Sequence, residues 1–160
     1  MPVRPYRKQD DRSAVLALLQ DTRAIDSPSA RLQVVDERGV TGAALWVRPD
    51  AGADPYLGSV IVTTDDGAGL PDPKGPVERW QQAYQLVAGC VEDALTQGFE
   101  RGHLIIASEA LRRHIERDFT FRIEPAGWDP RTGEPAQWRI DVDLNDALEQ
   151  LRRAAPLAGR

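Results

Sequence analysis

Cys90 is the chain's only thiol, and His103 and His114 are its only imidazoles. One cysteine excludes an intrachain disulfide and a Cys-rich zinc site. With two histidines, a dedicated transition-metal site is not expected. Cys90 falls beside a helical apolar stripe and reads as a small hydrophobe rather than a nucleophile. The remaining segment suited to chemistry is the loop Asp65-Asp66-Gly67-Ala68-Gly69-Leu70-Pro71-Asp72-Pro73-Lys74-Gly75-Pro76. Loops of about a dozen residues without periodicity are uncommon in compact domains and often functional. Pro76 suits the first turn of a helix that follows.

The elements that would position this loop are legible from periodicity. Residues 2–6 can form a short edge strand, where proline is tolerated. Asp10 and Asp11 stand as caps before a helix with Val15, Leu16, Leu18 and Leu19 on one face. Residues 32–36 and 40–47 read as a hairpin around Glu37-Arg38-Gly39, with a third strand at 56–63. From Pro76 onward, Val77, Trp80, Tyr84, Val87, Val91, Ala94 and Leu95 recur at helical steps, and Gly98 supplies a C-cap. Leu104-Ile105-Ile106 is a buried strand, parallel to the one before the long helix. Ser108 caps a helix over 109–118. A hairpin follows from 119–124 to 137–143, and Asn145 or Asp146 caps a last helix. The expectation is one α/β domain spanning 1–160, an α+β mixed sheet in the order β-α-β-β-β-α-β-α-β-β plus a C-terminal helix.

Composition narrows the function. Hydrophobic residues at 41% and charged residues at 28% fit a globular domain and argue against disorder. The net charge of −5 disfavours nucleic acid as main partner and suits a basic acceptor such as an amine or Lys-rich peptide. The charged N-terminal stretch reads as neither signal peptide nor anchor, so no membrane association and a cytoplasmic location are expected.

That element order resembles the GCN5-related N-acetyltransferase (GNAT) superfamily. Val3-Arg4-Pro5-Tyr6-Arg7-Lys8-Gln9-Asp10-Asp11 is similar to the family's opening. Val34-Val35-Asp36-Glu37-Arg38-Gly39-Val40-Thr41-Gly42 resembles its second and third strands with their acidic turn. Ala107-Ser108-Glu109-Ala110-Leu111-Arg112-Arg113-His114-Ile115-Glu116-Arg117-Asp118-Phe119 resembles the segment after its fifth strand. The resemblance spans residues 3 to about 144.

The resemblance implies an acyl-CoA-dependent N-acetyltransferase, with acetyl-CoA wedged between two splayed parallel strands. Here that gap lies between Val60-Ile61-Val62 and Leu104-Ile105-Ile106. The diphosphate would rest on backbone N–H groups around Gly67, Gly69, Lys74, Gly75 and Val77, with Ser108 at the head of the next helix. Helix N-termini favour anions because their first N–H groups are unpaired. The loop departs from the family's pattern: Pro71, Pro73 and Pro76 lack an N–H, and Asp65, Asp66 and Asp72 repel phosphate.

His114 takes the position of the family's general-acid Tyr, which implies proton donation to the leaving thiolate. The competing expectation is an exposed His114 among Arg112, Arg113 and Arg117. Asp65 is the candidate base, or a loop-entry cap. About ten residues separate the first helix from the second strand, so the family's second helix is expected to be lost, which implies an open face for a protein or peptide amine. The rival reading is an inert GNAT-like module for protein binding or homodimerisation, with Trp128 at the contact.

Overall fold

Hydrophobic alternation and capping chemistry account for most of the elements in the computed structural model, which describes residues 3–50, 53–64, 67–71 and 77–155. Strand β1 (Val3–Pro5) leads into helix α1 (Lys8–Leu19) and a short helix α2 (Thr22–Asp26). Strands β2 (Ala30–Asp36), β3 (Val40–Val47) and β4 (Tyr56–Thr64) form a meander, and β5 (Gly67–Gly69) folds back on it. Helix α3 (Val77–Thr96) crosses to β6 (Arg101–Ile106), followed by α4 (Glu109–Asp118), β7 (Arg122–Trp128), β8 (Pro135–Asp143) and α5 (Leu144–Ala154).

The sheet order is β1-β2-β3-β4-β6-β8-β7, with β5 attached to β4 beside that path. Every pairing is antiparallel except β4 with β6, which a helical crossover makes parallel. Alternation along β2 and β3 sends side chains to two helical layers. Leu32, Val34, Ala43 and Leu45 pack with Val15 and Ile25 of α1 and α2. Val35, Ala44 and Trp46 pack against α3 and α5 through Trp80, Leu86, Val91 and Leu151. Leu86 is fully buried, a contribution of about 2 kcal/mol.

Local signals set the ends of several elements. Gly98 adopts φ +96°. Its N–H reaches Leu95 O at 3.0 Å while Phe99 N–H reaches Ala94 O at 3.1 Å, a Schellman stop for α3. Ser108 caps α4 by accepting from Leu111 N–H at 3.2 Å.

Four expectations are corrected. The second helix is not lost: Thr22–Asp26 forms it in shortened form, capped by Asp21 and anchored by buried Ile25. Helix α1 starts at Lys8, earlier than Asp10 or Asp11 as caps would require. Asp11 is instead 2% exposed and accepts from both Arg4 guanidinium nitrogens, at 2.7 and 2.8 Å, tying α1 to β1. Asp143, not Asn145 or Asp146, caps α5 by accepting from Asp146 N–H at 3.0 Å. Residues 67–69 are a strand, because the chain reverses after Thr64 and pairs with the edge it has just left.

Candidate active site

The centre of the sheet contains a gap, and its cause is an extra residue in β4. Leu45 pairs with Ser59 while Trp46 pairs with Leu57, so Gly58 is a bulge residue. A side chain there would meet Leu45 Cδ2 at 2.9 Å, which is why glycine serves at this close approach. Bulges bend the strand and end regular pairing. Accordingly β4 and β6 pair only at Tyr56↔His103, where His103 N–H donates to Pro55 O at 3.1 Å. Beyond that point β6 follows β8, with which it pairs along its whole length.

Further along, β5 occupies the same edge of β4, with Val62↔Gly69, Thr63↔Ala68 and Thr64↔Gly67. Residues 57–61 therefore lie between the two pairings with no strand partner on that edge among the described residues. A cavity of about 230 Å³ opens there, walled by Leu57, Val60, Leu104, Ile106, Val87 and the Tyr84 ring. It suits a slender, largely apolar chain rather than a bulky ligand. Leu70, 46% exposed, also lines it.

The residues expected from sequence distribute unevenly around this gap. Val60 lines it, whereas Ile61 and Val62 do not. Val62 is fully buried on the α3 side. Gly67 and Gly69 lie in β5, their backbones paired with Thr64 and Val62. Val77 is the first residue of α3. Ser108 is occupied as the α4 cap and is not part of the cavity wall. Asp65, Lys74 and Gly75 lie outside the described residues.

His114 is buried, which corrects the expectation of an exposed residue among the α4 arginines. It stacks on Trp80 with ring centroids 3.9 Å apart. Its Nε2 lies 2.6 Å from the Tyr84 hydroxyl, which donates to Asp118 Oδ2 at 2.8 Å. Arg117 approaches His114 Nδ1 at 3.1 Å and donates through Nε to Asp118 Oδ1 at 3.1 Å. Arginine can only donate, so the network assigns the proton to Nε2. Donation then runs Arg117 to His114 to Tyr84 to Asp118, and Arg117 closes the ring.

Burial lowers the His114 pKa, Asp118 opposes this, and Arg117 reinforces it. Burial and the bond to Asp118 push the Tyr84 phenol well up. Burial also works against the Asp118 carboxylate, but hydrogen bonds from Arg117 and Tyr84 and the neighbouring His114 hold it below the usual range. Trp80 and Tyr84 present their rings to the cavity, and His114 sits behind them, outside the wall. The sequence carried a signal for this: Leu111, His114, Ile115 and Asp118 share one helical face.

The other histidine is in the wall. His103 stands where the two strands part, with its ring 5.8 Å from that of Tyr56. Its Nδ1 is buried and has no hydrogen-bond partner. Burial lowers its pKa, with Arg139 adding to this and Asp141 and Asp54 opposing. Strand alternation could have flagged it, since Leu104 and Ile106 face the helices and His103 and Ile105 face away. Cys90 also lines the cavity, but burial pushes its thiol far up, which keeps it protonated and inert. Among the described residues no group of His, Cys, Asp and Glu could hold a metal, and no helix is long and apolar enough to cross a membrane.

No protein-family model and no curated protein sequence matches this chain. Solved structures do. A spermidine N-acetyltransferase SpeG chimera from Vibrio cholerae and hSSAT superposes with a TM-score of 0.61 at 13% identity, covering 93% of this chain and 99% of that one. A Desulfovibrio desulfuricans protein described as a GNAT-family acetyltransferase gives 0.56 at 16%, covering 89% and 98%. An N-acetyltransferase from Staphylococcus aureus gives 0.55 at 16%, covering 89% and 97%. The chain has the GNAT fold.

Proposed function

We propose that this chain is an acyl-CoA-dependent N-acyltransferase acting on an amine. The observation that carries the reading is the β4 edge at 57–61, which has no strand partner on the cavity side among the described residues. Its free main-chain groups can pair with the amides of a pantetheine arm while the apolar walls take the methylenes. The thioester supplies an activated acyl group. A main-chain N–H beside the bulge can polarise its carbonyl, since donors aimed at developing negative charge are worth several kcal/mol in a dry site.

The fit imposes one change on the site expected from sequence. Because β5 covers Val62 to Thr64, the arm's contact with β4 falls at 57–61 rather than at Val60-Ile61-Val62. The diphosphate would lie toward Val77 at the head of the 20-residue α3, with Lys74 and Gly75 the proposed cradle and Gly67 and Gly69 bordering it. Asp65, the base candidate of the sequence, lies outside the described residues, and Ser108 is proposed as a more remote contact. For His114 the closed hydrogen-bond ring supports a clamp between α3 and α4 rather than thiolate protonation.

The acceptor is proposed to be a cationic amine, of a protein, a peptide or a small molecule, in keeping with the acidic chain. The shortened α2 leaves room for a large acceptor on the α1 face. The rival reading, an inert module docking or dimerising through exposed Trp128, is disfavoured by a cleft open at its centre.

Thermal unfolding with acetyl-CoA tests the reading. A ligand at 100 times its dissociation constant adds about 2.7 kcal/mol of stability. Lys74→Glu is expected to abolish that gain. No shift at millimolar acetyl-CoA would leave the inert module standing.

A further inference from the structure

The cavity wall contains Tyr56, Ser59, Tyr84, Cys90 and His103 as its groups with exchangeable protons other than tryptophan. Tyr84 is bonded to His114 and Asp118. Cys90 is buried and held protonated. His103 is the one whose ordinary value, 6.5, lies near neutrality.

His103 sits at the vertex where β4 and β6 separate, two residues before the bulge on the facing strand, as Tyr56↔His103 and Gly58 fix it. Its side chain projects to the face opposite α3, because its neighbours Leu104 and Ile106 pack with Leu111 and Ile115 of α4, which pack on the α3 core. Its Nδ1 is enclosed with no partner, which leaves Nε2 as the nitrogen open to a ligand.

We infer that His103 is the general base of the proposed acyl transfer, receiving the acceptor's proton at Nε2, the ring nitrogen that is not enclosed. The inference rests on the acyltransferase reading and places the acceptor on the His103 face of the sheet, opposite the α3 face. Neutral His103 takes one proton from the acceptor ammonium, leaving a lone pair on nitrogen. That pair forms the new N–C bond as the thioester C–S bond breaks, with sulfur keeping the bonding electrons. The second proton leaves nitrogen for the thiolate, and His103 returns its own to solvent. The products are amide, free thiol and one proton.

The charged surroundings suit a cation. Asp54 and Asp141 act on the ring, with Arg139 opposing and already bonded to Asp141 at 3.0 Å. Tyr56, 42% exposed, adds an aromatic edge. Burial keeps the imidazole neutral around pH 7, the form a base requires.

The test uses the whole chain. Ring resonances of the two histidines are followed by NMR while acetyl-CoA and then primary amines (spermidine and a lysine-bearing peptide) are added. The His103 signal is expected to move and the His114 signal to stay. Turnover is then compared for wild type and His103→Gln, whose folding is checked by thermal unfolding. A loss on the order of 100-fold at about pH 7 is expected. It should narrow near about pH 10, where the amine deprotonates unaided, a pattern that a merely structural role would not give. Acetyl-CoA that binds without moving the His103 signal, or equal turnover at all pH values, overturns the base assignment alone. Absence of any acetyl-CoA binding, or binding without turnover of either amine, overturns the acyltransferase reading and this inference with it.

Discussion

His103 and His114 lie eleven positions apart and occupy opposite kinds of site. His114 has both ring nitrogens engaged and an aromatic ring stacked on its face. His103 has a buried nitrogen with nothing to bond and a gap beside it. Burial depresses both pKa values, so the electrostatic shift does not tell them apart. What separates them is satisfaction. A completed network holds two helices together, whereas a histidine at a cavity wall with no side-chain bond keeps its open Nε2 for something else.

His114→Ala removes the Trp80 stack, opens a cavity between α3 and α4 and leaves Tyr84 with Asp118 alone, for an expected loss of about 3 kcal/mol by denaturant unfolding. Tyr84→Phe deletes one link of the same ring and is expected to cost about 1 kcal/mol, since His114 Nε2 lies 3.3 Å from Asp118 and can take up part of the lost bonding. A similar loss from His103→Gln would erase the contrast. Its expected cost is within about 0.5 kcal/mol, because no hydrogen bond to Nδ1 is lost.

Affinity sharpens the other half. Leu70→Asp, on the cavity's exposed lining, is expected to weaken acetyl-CoA about tenfold, or about 1.4 kcal/mol, in a calorimetric titration. Stability should barely change.

Acid adds a smaller, graded effect. Both histidines have folded pKa values below 6.5, so the unfolded chain takes up their protons first as pH falls. Stability is therefore full above about pH 6.5 and declines as pH drops toward the folded values. His114→Gln should remove part of that decline. Asp118 acts in a separate window: its depressed value stabilises the fold above 3.8 and is lost as pH falls below it. An unchanged slope between about pH 6.5 and 5 in His114→Gln would show that the network does not hold a neutral imidazole.

Much of the architecture was legible locally. The Trp80, Tyr84, Val91 and Ala94 stripe predicted α3, and all four are buried. The stop at Gly98 and the cap at Ser108 fell where expected. The parallel neighbours β4 and β6, and the gap between them, followed from the crossover and the resemblance. Less legible were the placements that depend on pairing. Gly67 and Gly69 were expected to cradle phosphate and instead form a strand on β4. Asp11 looked like a cap and proved to be Arg4's buried partner. The lost second helix was present in five residues, too few to leave a periodic signature.

The chain by itself determined which stretches coil, which extend, and which side of each is apolar, because those properties repeat over three or four neighbouring residues. Tertiary structure decided which histidine closes a ring of hydrogen bonds and which faces an opening. That choice depends on a one-residue bulge at Gly58 and on α4 meeting α3 across 30 positions. Such register is set by partners distant in sequence, and local spacing does not encode it.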